Sequence, residues 1–355
     1  MPLDLKPLRI LFVAVASNEI GFGHLNRCLS LAIYAQKLSA DISFLVFGNA
    51  SAKARVNAAG FDCVLFEESK MHTVDWEQSD RLQADVIIVD LLFPGFFVAS
   101  MPSLLFGYLR SLGRLLVAID VLGDESILAK LPQIDADIVV NPYVTSGMDI
   151  SELRWRYLQG SEYALLGVEY ANLPQRRLRA VANRILVSCG GSDSKRYTIQ
   201  VLRGLEAVTR ILEIRAVVGP MFSAELIADL ERMVVRSRHH IVLVTAPPTL
   251  LNEMLWCDVA IGTNGLTKYE LAASATPALL FSIDAHHDMV NRPFATRKTS
   301  IDLGIGASPE KIEQEISGLL RNVALRSSMA KCGRMLVDGG GVERLFIEIK
   351  KELFC

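Results

Sequence analysis

The sequence predicts an α/β protein built from two Rossmann-like domains, each a doubly wound parallel sheet. Three observations carry that prediction. Short β-branched apolar runs alternate with amphipathic helical stretches. The runs are continuous rather than alternating, as in strands covered on both faces. They also form two series, parted by the polar stretch around Asn172–Asn183. A length of 355 residues suits two domains, at about 150 residues each. The first series places strands near Ile10–Ala16, Asp41–Val46, Val86–Asp90, Leu115–Ile119 and Ile138–Val140. The second places them near Ile185–Ser188, Ile214–Val218, Ile241–Val244, Val259–Gly262 and Ala278–Phe281. The expected division is a first domain over 1–172, a second over 183–340 and a closing helix over 341–355.

Composition narrows the function classes. Hydrophobic residues make up 51% and charged residues 21%, a globular balance rather than a disordered one. A net charge of -2 offers no polycationic surface, which argues against a nucleic-acid partner. The six cysteines, at 28, 63, 189, 257, 332 and 355, include no CxxC pair. They suit reduced thiols in a cytoplasm better than a disulfide scaffold or a zinc site. Lys6 and Arg9 before ILFVAVAS imitate a signal peptide, but the apolar run has only seven residues, so a cytoplasmic chain is expected. The stretch Val86–Leu109 is long enough to cross a bilayer. Asp90, Pro94, Gly95 and Pro102 break it into a strand, a turn and a helix. The other reading is an apolar segment over Phe96–Leu109 that rests on a membrane surface.

In doubly wound sheets ligands bind beyond the carboxyl ends of the strands, so functional residues are expected just after each strand. After the first strand comes IGFGHLNRCLSLA. Gly21 and Gly23 permit a sharp turn and close approach of a ligand. His24 then falls in the first turn of a helix, where the positive helix end favours a neutral imidazole able to accept a proton. The third glycine of the dinucleotide fingerprint is absent. A phosphate cradle, a catalytic histidine and an ordinary tight turn all fit this stretch. Arg27, one turn on, either faces a diphosphate or only solvates the helix.

The second series adds two loops. CGGSD leads into a helix from about Lys195, and Gly190, Gly191 and Ser192 present N–H groups to an anion. A plain Gly-Gly turn with Ser192 or Asp193 as N-cap fits equally. Later, VAIG runs into TNGLTKYELAA. There Asn264 and Gly265 form a loop, Thr267 can bond a phosphate, and Glu270 can accept both hydroxyls of a ribose. Glu270 as an exposed partner of Lys268 is the structural alternative. Two anion loops and one carboxylate describe a nucleotide diphosphate site. His286-His287-Asp288 is not a metal site on this reading, because adjacent helical residues point about 100° apart and no third ligand is evident. His287 or Asp288 can instead reach a sugar. His239-His240 reads as a loop, and no Ser-His-Asp set is assembled by the sequence.

Five segments occur in one order: GFGHLNRCLSLA, LQGSEYALLGVEY, SCGGSD, NGLTKYE and DGGGVERL. That order resembles the UDP-sugar hydrolase of pseudaminic acid biosynthesis and its spore-coat polysaccharide relatives. That family is in turn similar to the GT-B glycosyltransferases, especially the N-acetylglucosaminyl transferase that makes lipid II. The resemblance implies an active cleft between two domains, with UDP on the C-terminal one and the sugar facing the N-terminal loop. It makes His24 the base, Gly190, Gly191 and Ser192 the phosphate loop, Gly265 and Thr267 the diphosphate loop, and Glu270 the ribose ligand. It also matches Asn291 to an asparagine on the sugar side. The implied reaction is displacement of UDP by water from a UDP-linked 2,4-diacetamido-2,4,6-trideoxyhexose, with neither metal nor cofactor. The alternative is an inverting glycosyltransferase with a lipid-linked or glycan acceptor, which would give Phe96–Leu109 a membrane to touch. A non-catalytic nucleotide-sugar sensor is the third reading. The sequence departs from the family at Asn264-Gly265, at Asp90-Leu91-Leu92 and at Asp120-Val121.

Overall fold

The structure is a computed structural model. It describes residues 7–17, 19–72, 82–92, 96, 102–122, 126–131, 134–144, 154–263 and 265–354. The chain divides into two compact units, Met1–Val168 with Gly339–Cys355, and Glu169–Asp338.

The first unit holds seven parallel strands: β1 (Arg9–Ala16), β2 (Asp41–Gly48), β3 (Asp62–Phe66), β4 (Ala84–Asp90), β5 (Gly113–Ile119), β6 (Ile138–Asn141) and β7 (Arg156–Gln159). Their order across the sheet is β3-β2-β1-β4-β5-β6-β7. Successive residues of a strand point to opposite faces. Phe12 and Ala14 of β1 therefore enter one core with Leu25 and Leu31 of helix α1 (Gly23–Lys37). Leu11 and Val13 enter the other with Leu105, Phe106 and Leu109 of helix α3 (Pro102–Ser111), α2 being Ala50–Ala58. This inward packing accounts for most of the apolar side chains of α3 without a membrane. Leu105, Phe106 and Leu109 are 1% exposed or less, and their burial under the sheet stabilises the fold, while Leu104 on the same helix is 51% exposed. Phe96 is buried too; residues 97–101 lie outside the described residues. Among the described residues, no helix is long and apolar enough to cross a membrane.

The closing helix, Gly341–Phe354, belongs to the first unit and sends Val342, Leu345, Phe346 and Ile349 into the α1 core. Gly341 must lack a side chain: a Cβ there would lie 2.3 Å from the carbonyl oxygen of Ala164.

The second unit holds six parallel strands: β8 (Arg184–Ser188), β9 (Glu213–Val218), β10 (His240–Thr245), β11 (Val259–Gly262), β12 (Ala278–Ser282) and β13 (Ser300–Ile305). The order β10-β9-β8-β11-β12-β13 repeats the doubly wound pattern. Its helices include α4 (Tyr197–Glu206), α5 (Ala224–Arg236), α6 (Thr267–Ala273) and α7 (Ala285–Thr296). The polar stretch after Asn172, expected as a joint, is docked on this unit. Arg179 pairs with Asp258, its Nε donating at 2.8 Å. Arg176 donates to the Cys257 carbonyl and to Thr276. The chain crosses between units instead at Val168–Glu169 and again at Asp338–Gly339.

Each sheet reverses its winding once, between β1 and β4 and between β8 and β11. At the first reversal Ala14 pairs with Asp90, and at the second Ser188 pairs with Gly262. The loops singled out in the sequence leave from these two places.

Candidate active site

In the first unit, a bridge between Ser17 and Gly21 closes the turn after β1, with Gly21 N–H donating to Ser17 O at 2.8 Å. Gly21 has φ +85°, a conformation that a side chain strains. Gly23 opens α1 and borders open space. No side chain caps α1, so the amides of its first turn stay available to an acceptor.

His24 lies on that turn, and its Nδ1 sits 2.7 Å from Oδ1 of Asp90, at the end of β4. Asp90 is fully buried. Arg27, also buried, donates from Nε to Oδ2 at 2.5 Å and from a terminal nitrogen to Oδ1 at 2.7 Å. Its other terminal nitrogen donates to the Tyr143 hydroxyl at 2.7 Å. Burial alone would push the Asp90 carboxyl up, but the charges and hydrogen bonds of Arg27 and His24 outweigh it and hold the group at about 2. Asp90 is thus an anion whose charge Arg27 balances. Its bond to Nδ1 selects the tautomer with the proton on that nitrogen and leaves Nε2 as the acceptor. Arg27 is 4% exposed and turns three of its N–H donors to Asp90 and Tyr143, which favours a role in holding Asp90 over the readings of a diphosphate ligand or a solvating side chain.

In the second unit, Gly190, Gly191 and Ser192 are exposed in the loop after β8, Gly190 at φ +91°. With Lys195, Thr263 and Ile283 they border a hollow of about 210 Å³. The helix begins at Tyr197 rather than Lys195, and Asp193 occupies its first amides, accepting from Tyr197 N–H at 2.7 Å and Thr198 N–H at 2.8 Å. An anion in this hollow meets loop amides and the Lys195 ammonium, not the helix end. Gly265, at φ +87°, and Thr267 follow β11, whose Gly262 lies beside Ser188. Asn264 lies outside the described residues.

Glu270, on α6, does not pair with Lys268. The Tyr170 hydroxyl, which donates to Met254 Sδ at 3.9 Å, and the Glu169 carboxylate both lie close enough to act on the charge of Glu270. Although the residue keeps part of its surface exposed, burial of the carboxyl and then the charge of Glu169 push it up to about 7, against the Tyr170 hydroxyl. Lys268 turns inward. It is 4% exposed, and its ammonium donates to Val290 O at 3.1 Å and to Asn291 Oδ1 at 3.2 Å. Burial brings it down to about 7.

This arrangement relocates Asn291. It is 1% exposed, accepts from Lys268, and donates to Ser282 Oγ at 3.0 Å and to Phe281 O. Its amide is committed to the fold and unavailable to a sugar. On the same helix, His287 Nδ1 is 2.7 Å from Oδ1 of Asp284, the helix cap. Burial lowers His287, with Asp284 opposing. Asp288 pairs with Arg292 at 2.5 Å. Asp90, Tyr143, Glu169, Tyr170 and Lys268 were not among the expected site residues. Only Asp90 carried a signal, as a lone carboxylate ending the apolar strand VIIVD.

No family model matches the chain. The spore coat polysaccharide biosynthesis protein SpsG of Bacillus subtilis is 24% identical over 338 residues, 92% of this chain and 93% of that protein. Among solved structures, MurG of Acinetobacter baumannii is similar at TM-score 0.68 and 14% identity, over 97% of this chain and all (100%) of that one. Arabidopsis thaliana UGT89C1, complexed with UDP-L-rhamnose, is similar at TM-score 0.63 and 12% identity, over 99% of this chain and 100% of that one. The fold is the two-domain α/β fold of the GT-B glycosyltransferases. These likenesses extend to a protein of spore-coat polysaccharide biosynthesis and single out no hydrolase.

Proposed function

We propose that this chain is an inverting glycosyltransferase of surface-polysaccharide assembly that uses a UDP-sugar donor. The observation that carries the reading is the His24–Asp90 pair with its balancing Arg27. It is a base with a fixed tautomer, on a helix start, beside a turn that leaves room for a substrate. In the proposed step an acceptor hydroxyl attacks the anomeric carbon and its proton passes to His24 Nε2. The new C–O bond forms as the bond from that carbon to the UDP oxygen breaks, and the electron pair leaves with the diphosphate. Amides of Gly190, Gly191 and Ser192, with Lys195, Gly265 and Thr267, take the diphosphate charge. Glu270, ionised, accepts the ribose hydroxyls, while His287 and Asp288 lie toward the sugar. The likeness to nucleotide-sugar glycosyltransferases of the same fold favours transfer.

The order of the five sequence motifs favours a second reading. In that reading water is the acceptor and a UDP-linked 2,4-diacetamido-2,4,6-trideoxyhexose is hydrolysed. The same base serves both reactions. One assay separates them: UDP release from that donor and from UDP-N-acetylglucosamine, with and without membranes that carry lipid-linked acceptors. Release that depends on acceptor, with label incorporated, supports transfer. Acceptor-independent release lost in His24→Asn supports hydrolysis and overturns transfer. No release under any condition overturns both.

A further inference from the structure

Away from the loops just described, helices α4 and α5 face each other across a groove of about 380 Å³. The stripe on α4 runs Arg196, Ile199, Gln200, Arg203; the stripe on α5 runs Asp229, Arg232, Met233, Arg236. The α5 residues follow the i, i+3, i+4, i+7 spacing of one helix face, and on α4 the cap residue Arg196 precedes Ile199, Gln200 and Arg203; such faces ordinarily carry apolar side chains where helices meet. Here each stripe holds two arginines, and Lys195 adds a fifth cation at one end.

The negative charge available is small. Asp229 pairs with both Arg196 and Arg232. Glu225, at the mouth, reaches Arg196 at 3.2 Å. Among the described residues, no carboxylate lies within ion-pair distance of Lys195, Arg203 or Arg236, so three positive charges are left over. The whole chain has a net charge of -2, so composition does not explain the cluster. Like charges held along a concave wall repel and concentrate the field in the groove. Arg196 also adopts a left-handed conformation, φ +59°, to reach its place.

We propose that this groove binds a free polyvalent phosphorylated anion, such as an oligophosphate or an organic polyphosphate. Planar guanidinium groups bond phosphate oxygens in bidentate fashion, and Arg203 and Arg236, one from each helix, have no carboxylate within ion-pair distance among the described residues. Ile199 and Met233 form an apolar floor for a non-phosphate portion. Lys195 borders both this groove and the hollow at Gly190–Ser192, and its ammonium donates to the Ile283 carbonyl at 3.0 Å on the side of the hollow.

The test is calorimetric titration of the full chain with inorganic pyrophosphate, with and without saturating UDP, in wild type and in Arg203→Gln/Arg236→Gln. Both substituted residues are exposed and outside the proposed catalytic set. The expected result is a pyrophosphate site that persists with UDP present and weakens at least about tenfold in the double variant, the loss of one or two charge-assisted bonds. UDP affinity itself is expected to stay unchanged in that variant, so failure of UDP binding and failure of the groove are read separately. No site with UDP present, or a site indifferent to the substitutions, overturns the proposal. Co-sedimentation with phosphatidylglycerol vesicles but no pyrophosphate binding also overturns it, because the groove would then read a membrane surface. Pyrophosphate held only weakly and equally by both proteins would mark an adventitious ion only.

Discussion

His24 and Asp90 lie 66 residues apart in sequence and 2.7 Å apart in space. The sheet makes them neighbours, because β1 and β4 are adjacent where the winding reverses and Asp90 is level with Ala14. The pair has an unusual third member in Arg27, which neutralises the buried carboxylate without blocking its bond to the imidazole. Tyr143 steadies Arg27 from the far side. Each link is buried or half-buried, so the geometry is set by packing before any substrate arrives.

His24→Ala is expected to lower turnover by about 10²–10⁴, the usual worth of a positioned general base, with UDP affinity retained. Asp90→Asn should lower turnover in the same direction by freeing the imidazole tautomer. Steady-state rates beside UDP titrations check both. Equal loss of UDP affinity and rate would assign His24 to binding rather than to proton transfer.

Arg27→Met leaves Asp90 charged in the interior with only His24 beside it, and the expected loss of stability is about 3–5 kcal/mol at neutral pH. In wild type the folded Asp90 sits at about 2, below its unfolded value near 3.9. Its contribution is therefore fully present above about pH 4 and fades as pH falls toward 2. In the variant burial acts unopposed by Arg27, so the carboxyl protonates earlier. The gap between the two denaturation curves should narrow as pH is lowered from 7 to 3. A constant gap would show that Arg27 acts through packing alone.

The strands legible in the sequence were the continuous apolar ones. Those missed, β3, β7 and β13, lie at sheet edges, where one side of a strand needs no covering. DCVLF and SIDLGI are accordingly only half-buried. The closing helix read as an appendage because nothing local in GVERLFIEI says which core receives it; its apolar face packs against α1. Of the site, His24 and the glycine loops were legible from their place after strands. Asp90 entered as a break in an apolar stretch and as a departure from a family pattern, not as a site residue, since its meaning depends on a neighbour strand far away in sequence. Asn291 and Lys268 show the converse: two polar residues beside a candidate site that satisfy each other inside the protein.

Glu270 supplies a pH test of nucleotide recognition. Its carboxyl, at about 7, is half ionised at neutral pH, and only the ionised form accepts two hydroxyl protons at once. Uridine affinity should therefore rise from pH 6 to 8, and Glu270→Gln should bind weakly and without that rise. Uridine is the proper probe because it carries no titrating phosphate. A flat wild-type profile would remove Glu270 from ribose binding.

Lys268 makes an opposite kind of claim, about what the fold tolerates. Its ammonium is buried against a backbone carbonyl, the Asn291 amide oxygen and the rings of Phe294 and Tyr269, and among the described residues no carboxylate lies within ion-pair distance of it. The folded value of about 7 lies below the unfolded value near 10.4. Burying the charge therefore costs stability in full below about pH 7, and the cost disappears as pH rises toward 10. Over that interval wild type should gain up to several kcal/mol relative to Lys268→Met, which has nothing to titrate there. Other groups titrate in both proteins and cancel in the difference. Parallel stability curves from pH 7 to 10 would mean that Lys268 keeps its charge through its neutral partners.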